Sequence, residues 1–553
     1  MRKSILFLLF AVFSISNSIN ANLPLANEPL IVFHFDFNSV SLNENYVRLW
    51  LKKAAAMGYN SVLWEIENEV QWDICPECSS PDAFSKETFR SILNYSRELG
   101  LEPIPLLQTI GHAEYVLENE NNKSFREDST RYDCYCTTNP QVRIFLKNWI
   151  DEYLELFGDI KYFHLGGDEA YAFASCSKCK QQVSKTSENS LYVEHIADIS
   201  QNLLKKGIRP GIWSDMILKY PNEIGQLNKE FVIWDWNYWD GDEIPERVMV
   251  WSKGGRLSKS EISDSILSDF PEIINNAGEL NPFYTCDVLK RLKYDVILCS
   301  SSRSYGDGVF AGRNELHVSN IIGAAKKTVN LGLLGNCVTS WAVRIHNNEI
   351  QEPWFFLAPL TMKNYSLSKK ELLGKTSQEL FGVNGCDFFE HANKIGYSFT
   401  FANEKSTGIM WTGMKDSKPA PENYIQELIN KMKSGNRWNG TVDEIKNSTG
   451  IISAGITDLN KFIPTTKKGI EVFYSWKRAG YFQYWQSIIA NEIVNISERK
   501  PGINTSEMVK LIENIKEEYK NWAENWMTPT SAEQNAGLIY DAVQNLFKQN
   551  LID

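Results

Sequence analysis

The run His164-Leu165-Gly166-Gly167-Asp168-Glu169 concentrates more chemistry than any other six residues of the chain. Neighbours along a pleated strand point to opposite faces, so two adjacent carboxylates can serve one ligand only where a strand is ending. Gly166 and Gly167 permit that break and a close approach of the ligand to the backbone. Two acids this close repel, and desolvation adds to the repulsion, which favours keeping one carboxyl protonated near neutral pH. That state suits a general acid. An Asp-Glu pair alone is equally well read as a solvated strand-to-loop turn; the glycines, His164 and the place in the fold set this one apart.

Hydrophobic periodicity supplies that place. Pro29–Phe37, Ser61–Ile66, Leu101–Gln108, Ile160–Leu165, Arg209–Trp213, Phe231–Trp236, Asp295–Ser300 and Leu333–Trp341 read as strands. Helical patterns fall between several of them, at Asn45–Met57, Ser85–Leu99, Val142–Phe157 and Ser190–Lys206. Continuous apolar strands need cover on both faces, which implies a parallel sheet. Eight such units predict an α/β fold, a (β/α)8 TIM barrel over residues 22–360. An open doubly wound sheet would want a Gly-rich phosphate loop after its first strand, and none is there. From 361 to 553 the pattern becomes helical, with Lys369–Phe381, Asn423–Ser434, Lys467–Val494, Ser506–Trp526 and Ser531–Phe547, so an all-helical C-terminal domain is expected.

A barrel of this type gathers its site where the strands run out. His34 and Asp36, Glu65 and Glu67, then Gln108, His112 and Glu114 sit at or just past the ends of the first three strands. His164, Asp168 and Glu169 follow at the fourth, Trp213 and Asp215 at the fifth, and Trp234, Asp235 and Trp236 at the sixth. Tyr305 and Asp307 come after the seventh and Trp341 after the eighth. Any one of these is ordinarily structural. Their recurrence in every unit is the signal.

HLGGDE resembles the H-x-G-G-D-E signature of the family 20 β-N-acetylhexosaminidases. WEIENEVQW, LEPIPLLQTIGHAEYVLENENNKSFR at 101–126 and RPGIWSDM at 209–216 resemble the hexosaminidase D branch, and the likeness runs over roughly residues 29 to 360. The resemblance implies an exo-acting enzyme that releases terminal β-linked GlcNAc or GalNAc with retention. The nucleophile would be the substrate's own acetamido oxygen, closing to an oxazolinium ion, a substrate-assisted route known as an exception among retaining glycosidases. Glu169 would be the acid and base, and Asp168 would hold the acetamido N–H. Trp213, Trp236 (or Trp234) and Trp341 would box the acetamide, Tyr305 in Tyr305-Gly306-Asp307 would donate to its carbonyl, and Asp36, Glu67, His112, Asp215 and Asp307 would complete the substrate contacts. His164, Gly166 and Gly167 would support the acid loop. No cofactor is implied, and the partner would be a glycan or glycoconjugate ending in N-acetylhexosamine. The sequence departs from the family at His34 and Asp36, where many members carry an arginine, and at Trp341-Ala342-Val343-Arg344, where many carry Trp-x-Glu. Those positions read hydroxyls remote from the acetamide. They leave open a GalNAc-specific enzyme, one for a modified (for example sulfated) aminosugar with Arg344 as contact, and a non-catalytic glycan-binding barrel.

Composition bounds the rest. A net charge of −11 argues against nucleic acid and anionic membranes as partners, and 43% hydrophobic residues suffice for a large core. Arg2 and Lys3 before the apolar run Ile5–Ile15, with small residues to Ala21, read as a signal peptide over 1–21, hence a secreted or periplasmic protein. No later run approaches the roughly 20 apolar residues of a membrane span. Cys75-x-x-Cys78, Cys134-x-Cys136 and Cys176-x-x-Cys179 follow three successive strands, so their loops should meet on one rim. Export favours disulfides there. A four-thiolate zinc site from Cys75, Cys78, Cys176 and Cys179 is the alternative, structural because it would leave no open position.

Overall fold

Burial at consecutive positions, on both faces of each strand, dictates how the strands close. In the computed structural model, which describes residues 28–38, 40–341, 347–399, 423–500 and 504–550, eight strands form one closed parallel barrel. They are β1 (Leu30–Asp36), β2 (Ser61–Glu65), β3 (Glu102–Leu106), β4 (Tyr162–His164), β5 (Arg209–Trp213), β6 (Val232–Trp236), β9 (Asp295–Arg303) and β10 (Gly335–Ser340). The order around the barrel is β1-β10-β9-β6-β5-β4-β3-β2. A short antiparallel hairpin, β7 (Arg247–Val250) with β8 (Gly255–Ser258), interrupts the rhythm between β6 and β9. The segment read as a signal peptide and the Ala342–Arg344 stretch lie outside the described residues.

Along β1, Val32 faces the interior with Leu63, Ile104, Leu106, Val232, Ile297, Cys299 and Cys337. Phe33 faces outward, against Trp50, Tyr59 and Phe355. His34 and Asp36 share the face of Val32, so the interior turns polar toward the strand ends. The same steps take β5 from Gly211 to Trp213 and β6 from Val232 through Trp234 to Trp236. At Gly211 a Cβ would stand 2.5 Å from Trp234 Nε1, so that glycine makes room for the neighbouring indole.

Helices Glu44–Met57, Lys86–Glu98, Pro140–Phe157, Glu188–Ile199, Asn314–Leu331 and Glu352–Lys363 cover the outside. The expected Ser190–Lys206 helix is broken at Ser200, with Gln201–Lys205 continuing it. The 360/361 boundary read from the sequence falls inside Glu352–Lys363, whose Phe355 packs on β1 and accepts a hydrogen bond from Tyr59. That helix belongs with the barrel wall.

Beyond it, the described residues are helical: Lys369–Thr376 with a π turn at Ser377–Phe381, Asp387–Ile395, Tyr424–Ser434, Trp438–Leu459, Lys467–Ser497, Thr505–Ala523 and Pro529–Gln549. They seat on loops at the C-terminal end of the barrel. Leu42, after β1, bridges Met527, and Thr528 N–H donates to Ser41 O. Phe310, after β9, stacks on Phe482 at 5.2 Å and meets Tyr519 edge-on at 5.8 Å.

Phe310 is buried between the two units. Phe310→Ala should lower unfolding stability by about 3–5 kcal/mol, the usual loss for a buried phenylalanine. Chemical denaturation followed by tryptophan fluorescence measures it; a change within experimental error would mean that this contact does not couple helices to barrel.

Candidate active site

The acid loop begins with a strand of only three residues. After His164, Gly166, Gly167 and Glu169 all take positive φ, at 62°, 89° and 43°. Three left-handed residues out of four abolish the alternation of a pleated strand. The space is also glycine-only. A Cβ on Gly166 would lie 2.1 Å from Gln108 Oε1, and one on Gly167 would lie 2.6 Å from the Tyr192 hydroxyl. The result is convergence: His112 Nε2 lies 3.4 Å from Asp168 Oδ2 and 3.5 Å from Glu169 Oε2. His112 itself has φ 52°, and Gly111 beneath it has no room for a Cβ, which would fall 2.3 Å from Asp168 O.

The two acids sit in different surroundings. Asp168 is buried, whereas the Glu169 side chain is 37% exposed and is also met by the Tyr171 hydroxyl. Burial pushes the Asp168 carboxyl above its ordinary range; His112 opposes that, and Glu169 and Glu65 add to it. Burial alone would lower the His112 pKa, but the charges of Asp168 and Glu169 outweigh it and hold the imidazole well above its usual value.

Asp215, at the end of β5, ties the loop to the aromatic wall. Its Oδ2 accepts from Glu169 N–H at 3.0 Å and its Oδ1 from Trp236 Nε1–H at 3.2 Å. Burial first, then the charges of Asp168 and Glu169, push its carboxyl up to about 7. Trp213 forms a floor, 4.4 Å from the His164 ring and 5.9 Å from Trp341. Trp236 joins Trp341 through Tyr238: the rings of Trp236 and Tyr238 are 5.3 Å apart, and Trp341 Nε1–H donates to the Tyr238 hydroxyl at 2.7 Å. The three expected tryptophans are thus one cluster.

Beneath lies a buried polar layer. Glu65 accepts from His34 Nε2 at 3.0 Å and from Gln108 Nε2 at 2.9 Å, and His34 Nδ1 accepts from Ser340 N–H. His164 Nδ1 accepts from Gly166 N–H at 3.0 Å, so the histidine does support the loop; burial and His34 keep it neutral. Glu67, at φ 35°, is buried near Glu65, Asp36 and Glu114, and burial followed by their charges raises its pKa well above normal. Asp36 takes Asn38 N–H at 2.7 Å, and Asn38 reaches Glu67.

Two expected contacts lie in the loop after β9. Asp307 is filled from within: Arg313 N–H and Nε–H meet Oδ1, and His317 Nε2–H and Ser304 N–H meet Oδ2. Burial would raise its pKa, but His317 and Arg313 overcome that and hold it far below the usual range. It anchors the loop after β9 and has no lone pair left over for a sugar. Tyr305 in that loop is 62% exposed, its carbonyl accepting from Arg313. A buried hydroxyl at the aromatic wall is that of Tyr238, which sequence reasoning passed over although it lies two residues past Trp236. Glu65 and Gln108 were noted at strand ends, but their bond to each other across β2 and β3 is visible only in the register. Asp235 points outward to Ser214, Thr285 and Cys286. Cys75 and Cys78 form a disulfide with each other, so the four-thiolate grouping with Cys176 and Cys179 does not arise.

Paired acids and an imidazole facing a tryptophan wall, at the C-terminal mouth of a parallel barrel, define an acid–base site of the carbohydrate-processing type. Residues 47–254 match the model of the glycosyl hydrolase family 20 catalytic domain. That match spans β2 to β7, narrower than the 29–360 read from the motifs. Among curated proteins, the chain is 27% identical over 212 residues to lacto-N-biosidase of Bifidobacterium bifidum, covering 36% of this chain and 18% of that protein. It is 27% identical over 192 residues to hexosaminidase D of Bos taurus, covering 33% of this chain and 55% of that protein. The matched stretches thus span about half or less of these relatives. Among solved structures, the β-N-acetylhexosaminidase of Bacteroides fragilis aligns at a TM-score of 0.43 and 16% identity, over 60% of this chain and 65% of that one.

Asp215 gives a pH test. Its pKa rises from 3.8 to about 7 on folding, so the native state binds the extra proton across that interval. Its contribution to stability is full below about 4 and is lost as pH climbs through 7. Asp215→Asn should remove this loss, so the variant's melting temperature should gain on the parent's between pH 4 and 7. Parallel melting curves against pH would contradict the assignment.

Proposed function

We propose that this chain is an exo-acting β-N-acetylhexosaminidase, hydrolysing terminal non-reducing β-linked GlcNAc or GalNAc with retention through the substrate's acetamido group. The observation that carries the reading is the convergence of Asp168 and Glu169 on one imidazole beside the Trp213–Trp341–Trp236 cluster. Consecutive acids on one loop are badly placed as nucleophile and acid on opposite faces of a sugar, a division that wants carboxyls about 5 Å apart across the ring. They are well placed to serve two neighbouring atoms of one substrate. Glu169, the more exposed, protonates the leaving oxygen and then activates water. Buried Asp168 receives the acetamido N–H and steadies the positive charge as the oxazolinium ring closes. Tethering the nucleophile within the substrate supplies a large effective molarity. The acetamide methyl rests on the tryptophans, whose cluster is closed by the bond from Trp341 Nε1–H to the Tyr238 hydroxyl. The N-terminal charged and apolar run supports export, and among the described residues no helix is long and apolar enough to cross a membrane.

Chromogenic β-GlcNAc and β-GalNAc glycosides test this directly. Glu169→Gln should reduce kcat about 10²–10⁴-fold, the range for loss of a general acid–base group, with an unchanged circular dichroism spectrum. Deacetylated glycosides should be inert, and a thiazoline mimic of the oxazoline should inhibit competitively. Equal turnover of acetylated and deacetylated substrates would refute the mechanism; binding without turnover of either would point to a lectin-like barrel.

A further inference from the structure

Three cysteines and a glutamate meet away from the acid pair, where the loop after β3 crosses the loop after β4. Cys136 Sγ is 3.8 Å from Cys176 Sγ and 3.9 Å from Cys179 Sγ, and Glu127 Oε2 is 3.2 Å from Cys179 Sγ. The four ligand atoms all lie within 4.8 Å of one another. Zinc bound to thiolates at about 2.3 Å in a tetrahedron puts sulfurs about 3.8 Å apart, and a carboxylate oxygen at about 2.0 Å lies about 3.5 Å from each sulfur. The observed separations fit those edges. We infer that Glu127, Cys136, Cys176 and Cys179 form a structural zinc site that staples the loop carrying His112 to the loop carrying Glu169.

The surroundings are those of a built site. Glu127 and Cys136 flank an antiparallel bridge between Arg126 and Tyr135, which fixes their spacing. Glu127 Oε1 accepts from Cys176 N–H at 2.8 Å, which aims Oε2 at the sulfurs. Cys176 Sγ accepts from Cys179 N–H, and the Thr138 hydroxyl lies 3.2 Å from Cys179 Sγ and 3.4 Å from Cys136 Sγ. Such bonds orient metal ligands and spread thiolate charge. Glu127, Cys136 and Cys179 are buried, and Lys178 within the C-x-x-C and Lys180 just after it offset a net negative centre. Cys134 is outside the set, its thiol turned to the Tyr135 carbonyl. Three thiols cannot all pair as disulfides, whereas three thiolates and a carboxylate complete a tetrahedron. With four protein ligands the ion has no open position, so it holds loops and takes no part in the reaction.

The test uses the full chain purified with zinc sulfate and desalted. Elemental analysis should find one zinc per chain, lost in Cys136→Ser and in Cys176→Ser and retained in Cys75→Ser. Cobalt substitution of the unaltered protein should give thiolate-to-metal charge-transfer bands and the intense visible bands of a tetrahedral ion, a readout that needs no variant to fold. Chelation should lower the melting temperature. The inference is overturned if the unaltered chain retains no zinc and shows no cobalt spectrum, or if non-reducing mass mapping links any two of Cys136, Cys176 and Cys179 in a disulfide. Neither result bears on turnover of the chromogenic glycosides, so the site and the proposed activity stand or fall separately.

Discussion

The molecule's chemistry depends on a local failure of β-structure. A strand shows its side chains to two faces in turn, and that rule would send Asp168 and Glu169 apart. Positive φ at Gly166, Gly167 and Glu169 cancels it within four residues and delivers both carboxylates to His112. Such backbone states persist only where the surroundings over-determine them. Here they do: His164 Nδ1 holds Gly166 N–H, Tyr192 donates to the Gly167 carbonyl, and Asp215 holds Glu169 N–H. Each brace comes from a different element, so the conformation of one short turn is a property of the assembled barrel.

Regular periodicity made the barrel legible. All eight strands lie within the runs read from sequence or overlap them closely, because a strand buried on both faces must be apolar and must end where polar residues begin. What escaped lacked that signature. The β7–β8 hairpin has strands of four residues, too short for alternation to register. Helix Trp438–Leu459 contains Gly440, Gly450 and Gly455 among β-branched residues, a composition that argues against helix by intrinsic preference. Packing overrides the preference: a Cβ on Gly455 would come within 2.7 Å of Lys394 Cβ, so the glycine is what lets two helices approach.

The site was legible in its residues and not in its connections. Spacing located Asp168, Glu169, His112, Asp215 and the tryptophans, since each falls where an inward-facing strand position runs out. Spacing cannot say whether a carboxylate is free to meet a ligand. Asp307 satisfies the positional rule as well as Asp215 does, yet Arg313 and His317 consume its oxygens. The cysteines teach the same lesson. Loops that follow adjacent strands were bound to approach, but Cys75 and Cys78 closed on each other, while Cys136 reached the second C-x-x-C.

One imbalance remains to be accounted for. Asp36, Glu65, Glu67, Asp168, Glu169 and Asp215 crowd one end of the barrel, and the histidines nearest them are His34, His112 and His164, the last kept neutral. Burial raises the pKa of Glu67, Asp168 and Asp215 together, so in each the ionised form is disfavoured where it stands. A scaffold evolved for stability alone would dilute such a cluster with apolar residues. Its energy is recovered by any positive charge that forms in its midst, because fixed carboxylates in a low-dielectric cleft need not reorganise to meet it. Anionic crowding of this kind therefore favours a cation that develops during a reaction over a neutral ligand already bound.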